Sequence, residues 1–140
     1  MKATNFKIVI LEDDDFYNRV LTHFLKKNLE DLGMIKGFTV NISSYTSYRD
    51  CCLNLQKDID IVFSDYYLND GFSASLLVEE LHKKGINCKI IIMSRLQNIQ
   101  TSIAPFLNGT AEFIQKNKMS LKRCLDISEA ILIERLSEFN

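Results

Sequence analysis

Five short runs rich in Ile, Val and Phe, at 6–11, 38–42, 59–63, 89–93 and 111–114, recur along the chain with stretches of helical period between them. No other feature constrains the fold as strongly. Four of the five runs are nearly continuous in apolar character, which marks strands covered on both faces, as in a parallel sheet. The run at 38–42 interleaves Thr39 and Asn41 with apolar residues and suits an edge strand. Strands alternating with helices imply right-handed crossovers. The expected fold is a single-domain α/β structure of (βα)5 type, with a doubly wound five-stranded parallel sheet.

The stretches between the runs carry helical stripes. Phe16, Val20, Leu21, Phe24, Leu25, Leu29 and Leu32 fall on one face, with Gly33 as the expected C-terminal stop. Tyr48, Cys51, Cys52 and Leu55 make a second stripe. Ala74, Leu76, Leu77, Val78 and Leu81 make a third, ended by Gly85, and Ile99, Ile103 and Phe106 a weaker fourth near Pro105 and Gly109. A long fifth runs through Leu121, Cys124, Leu125, Ile131, Leu132 and Leu136, with Ser120 as candidate N-cap. This last helix is expected to span about 120–139, longer than the sheet requires. Its Ile131, Ile133, Leu136 and Phe139 either pack further against the first helix or form a dimer or partner surface.

Composition removes several function classes. Lys plus Arg is 17 and Asp plus Glu is 18, a net charge of −1, so the chain lacks the positive surface that coats nucleic acid or membranes. A hydrophobic share of 46% is too high for a disordered chain. No apolar run is long enough to span a bilayer, and the N-terminal residues lack the long apolar region of a secretory leader. Cys51, Cys52, Cys88 and Cys124 form no C-x-x-C pair and lie far in sequence from His23 and His82, against a zinc site. They read as reduced thiols packing as small apolar groups, consistent with a cytoplasmic protein. His23 and His82 are expected at the surface or boundary of helices.

In a doubly wound sheet, ligands bind at the carboxyl ends of the strands. Glu12, Asp13, Asp14 and Asp15 follow the first run, Ser64 and Asp65 the third, Ser94 the fourth and Lys116 the fifth. Close carboxylates repel, so either one protonates or a cation joins them. A hard divalent ion with oxygen ligands answers this most simply. A carboxylate not spent on the metal can attack phosphorus to give an aspartyl phosphate. The metal and Lys116 would then balance the developing charge, and Ser94 could donate to a phosphoryl oxygen. Each residue alone has a plainer reading. Glu12 to Asp15 suit an acidic helix N-terminus, Asp65 the turn signalled by Asn69-Asp70-Gly71, Lys116 an exposed lysine and Ser94 a strand-end cap. Their joint placement on one rim favours the site. The loops hold no glycine-rich phosphate cradle, against a flavodoxin-like nucleotide or flavin binder.

Taken together, Ile8-Val9-Ile10-Leu11-Glu12-Asp13-Asp14, Ile61-Val62-Phe63-Ser64-Asp65-Tyr66-Tyr67-Leu68-Asn69-Asp70-Gly71, Ile91-Ile92-Met93-Ser94 and Glu112-Phe113-Ile114-Gln115-Lys116 resemble the response-regulator receiver domain, over about 6–132. The resemblance implies a flavodoxin/receiver-like strand order of 2-1-3-4-5. It implies that Asp65 is the phosphoacceptor and that Mg2+ is held by Glu12, Asp13, Asp65 and the backbone carbonyl of Tyr67. Ser94 would be the switch hydroxyl, Phe113 the aromatic that swings inward with it, and Lys116 the partner of the phosphoryl group. The implied donor, in two-component signalling or a phosphorelay, is a sensor histidine kinase or a histidine phosphotransfer protein. The implied output is a downstream protein bound at the face of helix four, strand five and helix five. Such a protein is a phosphoacceptor that assists its own phosphorylation and dephosphorylation rather than an enzyme with a separate substrate.

The chain departs from the family pattern at several positions. Asn117 follows Lys116 where a cis-proline is usual, and a trans bond is expected there. Asn69 replaces a common proline, Ser73 a common glycine and Arg95 a small residue. Tyr67 and Leu96 are large enough to shield a phosphoryl group, so a long-lived phosphorylated state is expected. The chain, 1–140, is expected to be one receiver domain with no output domain, working through protein contacts. The alternative is a receiver-shaped interaction module that is never phosphorylated.

Overall fold

The computed structural model describes residues 4–95 and 111–138. Strands β1 (Thr4–Leu11), β2 (Phe38–Tyr45), β3 (Ile61–Asp65), β4 (Lys89–Ser94) and β5 (Ala111–Gln115) form one sheet, ordered β2-β1-β3-β4-β5. All four strand pairings are parallel. Helices α1 (Asp15–Lys36), α2 (Tyr48–Leu53) and α3 (Ala74–Lys83) and a C-terminal helix (Ser120–Ser137) cover it. The helix expected around Ile99, Ile103 and Phe106 lies outside the described residues, as do Leu96 and Phe139.

The continuous apolar runs have the predicted cause, because successive side chains of a strand enter opposite cores. Val9, Leu11, Val62, Ile90 and Ile92 join Cys51, Leu77 and Leu81 on the α2 and α3 side. Ile8, Ile10, Phe63, Ile91 and Met93 join Leu21, Leu25, Cys124 and Leu132 on the side of α1 and the C-terminal helix. Each fully buried side chain of this size contributes about 1.5–3 kcal/mol of transfer free energy. β2 stands at the edge as its alternation implied, with inner and outer residues taking turns.

Three local expectations are corrected. Helix α1 continues past Gly33 to Lys36, and its stop is Gly37 at φ 84°, whose N–H donates to the Gly33 carbonyl. Gly33 is required for a different reason. The carbonyl and ring of Phe38 lie directly against its Cα, and a Cβ there would run into that carbonyl. Gly33→Ala should therefore lose about 1–3 kcal/mol in urea unfolding despite alanine's better helix propensity. A gain in stability would contradict the close approach. Phe16 is 72% exposed and leaves the apolar stripe, whereas Tyr17 and Asn18 of the same turn face the core. Ser120 is the first helical residue rather than the N-cap, which is Met119, and its hydroxyl donates back to the Asn117 carbonyl at 2.8 Å.

Part of the apolar extension of the C-terminal helix goes into packing. Leu132 is fully buried, Ile131 and Leu136 pack on the α1-side core, and Ile133 remains exposed. Near its end Arg135 pairs with the buried Asp60 at 2.8 Å. All four cysteines are free thiols, and burial pushes Cys51, Cys88 and Cys124 up to about 12, which suits a packing role. His23 and His82 are exposed. No cis peptide bond occurs among the described residues, so Asn117 is trans as expected. No helix among them is long and apolar enough to cross a membrane.

Candidate functional site

The carboxyl ends of β1, β3, β4 and β5 deliver the acidic, hydroxyl and amine groups to one place. Glu12 directly follows β1 and is fully buried. Its N–H donates to the Tyr45 carbonyl at 3.0 Å, which holds the turn to the end of β2. The Asn18 amide donates to the carbonyls of both Glu12 and Tyr45, each at 3.0 Å. Asp14 acts as the N-cap of α1, accepting from the Tyr17 N–H at 3.1 Å, and its carboxylate lies 3.5 Å from Arg95. The neighbouring carboxylates thus divide their work, because a cap oxygen is committed to the helix terminus.

Lys116 reaches the cup from the end of β5, where its N–H donates to the Ser94 carbonyl at 2.7 Å. Its side chain is 6% exposed, and its ammonium pairs with the Glu12 carboxylate. The same nitrogen lies 3.4 Å from Asp65 Oδ1 and 4.7 Å from the centroid of the Tyr17 ring. Glu12, Asp13 and Asp65 each offer an oxygen, and these oxygens lie within 4.8 Å of one another. Burial, then the Glu12 charge, push the Asp65 carboxyl up to about 7, with Lys116 working the other way. Three carboxylates against one ammonium leave uncompensated negative charge on an all-oxygen set of side-chain ligands. That chemistry fits a hard divalent cation such as Mg2+.

Asp65 and Lys116 share a cleft of about 250 Å³ with Asp14, Tyr67, Ser94 and Arg95. After β3, Asp70 at φ 62° and Gly71 at φ 79° turn the chain sharply, and a bridge between Tyr67 and Ser73 closes the loop. This turn presents Tyr67 to the cleft. Glu12, Asp13, Asp65, Tyr67, Ser94 and Lys116 are therefore brought together. Phe113 is not among the residues lining the cleft; it is partly buried against the α2 and α3 side core.

Two residues of the site escaped the sequence reading. Asn18 lies on the buried face of α1 with Leu21, Leu25 and Leu29, and a polar residue in that register was a readable signal. Tyr17 carried no such signal, since its partners Lys116 and Ser120 are about a hundred residues away.

No family model and no curated protein matches the chain. Solved structures do. The receiver domain of a Francisella response regulator is 16% identical with a TM-score of 0.72, covering 94% of this chain and 99% of its own. The response regulator TrrA of Thermotoga maritima, solved with Mg2+ and BeF, is 18% identical with a TM-score of 0.61, covering 94% and 98%. A Vibrio cholerae chemotaxis protein of the CheY type is 13% identical with a TM-score of 0.67, covering 91% and 99%. At such identities the likeness is one of fold, and the fold of this chain is that of a response-regulator receiver domain.

Proposed function

We propose that the chain is a receiver that takes a phosphoryl group onto Asp65 from a phosphohistidine donor, with Mg2+, and signals through altered protein contacts. The observation that carries this is the cup itself. The Asp65 carboxylate lies 3.4 Å from the Lys116 ammonium, with oxygens of Glu12 and Asp13 within 4.8 Å of its own. An Asp65 oxygen attacks phosphorus, the N–P bond of the phosphohistidine breaks, and its electron pair leaves on the imidazole nitrogen. The donor is a sensor histidine kinase or a histidine phosphotransfer protein. When bound by Glu12, Asp13, Asp65 and the Tyr67 carbonyl, Mg2+ supplies neutralising charge. Lys116 leaves Glu12 for the phosphoryl oxygens, and the buried Ser94 hydroxyl donates to the same group. Ser94 and Phe113 then shift the packing of the β4 and β5 side and change the affinity for a downstream protein. The Mg2+ and BeF bound in TrrA support the cation in this reading.

Incubation with Mg2+ and acetyl phosphate tests the proposal by intact mass. The native chain should gain one phosphoryl group, and Asp65→Asn or a chelator should prevent it. A folded native chain with no adduct overturns the proposal. It would favour the second reading, an interaction module that is never phosphorylated, to which the Glu12–Lys116 ion pair lends weight by engaging two of the required groups with each other.

A further inference from the structure

Lys116 can pair with Glu12, with Asp65 or with a phosphoryl group, so something other than charge must hold it within reach of all three. We infer that Tyr17 is a positioning residue for Lys116: its ring supports the ammonium and its hydroxyl ties the Lys116 loop to α1. The inference rests on the phosphoacceptor reading above and adds a residue to it. The Lys116 nitrogen lies 4.7 Å from the Tyr17 ring centroid, within the range of a cation–π contact. An aromatic face attracts the ammonium without neutralising it, so the cation stays available to either carboxylate.

The other end of Tyr17 holds the loop. Its hydroxyl lies 2.8 Å from Ser120 Oγ. Ser120 spends its one hydroxyl hydrogen on the Asn117 carbonyl at 2.8 Å, so Tyr17 is the donor of the pair. Asn117 Oδ1 in turn accepts the Met119 N–H at 2.9 Å. The residue directly after Lys116 is therefore linked through Ser120 to Tyr17. Tyr17 itself is fixed by the Asp14 cap on its N–H and by Asn18 next to it, whose amide joins the ends of β1 and β2. Tyr17 also packs on the α1-side core, and a role in packing alone is the competing explanation.

Calorimetry on the full chain separates the two, with Mg2+ alone and then fluoroberyllate at saturating Mg2+. Mg2+ affinity reports the carboxylates, whereas fluoroberyllate affinity also requires Lys116 in place. Tyr17→Phe keeps the ring and the packing and loses the tether, and Ser120→Ala cuts the same tether from the other side. Both should weaken fluoroberyllate binding about three- to tenfold, and the double variant should be no weaker than either single one. Tyr17→Leu, lacking ring and tether, should weaken it by more than about tenfold. Mg2+ affinity should stay within about threefold of native throughout, because the carboxylates are untouched. Unchanged fluoroberyllate affinity, or a parallel fall in both affinities, overturns the inference. A native chain that binds no fluoroberyllate overturns the phosphoacceptor reading, and this inference with it.

Discussion

Asp65→Asn is expected to make the metal-free protein more stable, by roughly 2–4 kcal/mol above about pH 8 and by little near pH 4. The Asp65 side chain is 16% exposed. Burial and the Glu12 charge raise its carboxyl from 3.8 to about 7. Below about pH 4 both folded and unfolded chains hold the proton, and Asp65 takes nothing from stability. Between about 4 and 7 the unfolded chain has released the proton and the folded chain retains it, so stability falls as pH rises. Above about 7 the folded chain carries a desolvated charge beside Glu12 and Asp13, and the loss is complete. The neutral amide introduced by the substitution removes this effect, while Glu12 keeps its partner Lys116. Urea unfolding in a chelator, in steps from about pH 4 to about pH 8, should give a native-minus-variant difference that grows through this window. Added Mg2+ should shrink the difference by stabilising the native chain. A difference that narrows with rising pH would contradict the account.

Lys116→Met should have the opposite sign and a comparable size, a loss of about 3–5 kcal/mol in chelator. Glu12 is fully buried and Lys116 nearly so, so removing the ammonium leaves a carboxylate with neither water nor counter-charge. The remaining N–H contact, from Asp14 at 3.2 Å, does not neutralise it. Methionine fills much of the lysine's volume, so the loss reports charge rather than a cavity. Glu12→Gln in the same chain should recover most of it, because a buried pair removed as a whole costs far less than one broken in half. Chemical denaturation of the two variants checks this. A Lys116→Met chain within about 1 kcal/mol of native would show that Glu12 does not depend on the ammonium.

The sheet was legible because strands buried on two sides have little choice of residue. Ile8 to Leu11, Ile61 to Phe63 and Ile90 to Met93 have no room for polar side chains between the two cores. The rim was legible because β1, β3, β4 and β5 each lead into a reactive side chain, and Asp65, Lys116 and Glu12 do meet there. Boundaries read less well. Gly33 has two physical uses, a left-handed stop or a close approach, and only the position of Phe38 shows which applies. Ser120 looked like a cap because a hydroxyl near a helix start usually serves its own backbone, yet Tyr17 and Asn117 claim it. The pairing of Lys116 with Glu12 was not foreseen either, since order along the chain does not say which of several carboxylates an ammonium will choose.

The Asn18 amide has a mechanical consequence. Both of its hydrogens are committed, one to the carbonyl of Glu12 and one to that of Tyr45. The acidic wall of the cup is thereby riveted to the edge pair β2 and β1, and displacing it would break two bonds together, one buried and one partly buried. The opposite wall has no comparable rivet from Asn18, and Lys116 there is gripped by a ring and a hydroxyl relay. Any push delivered at position 65 should therefore be felt as recoil toward β4 and β5, with the acid side serving as the anvil.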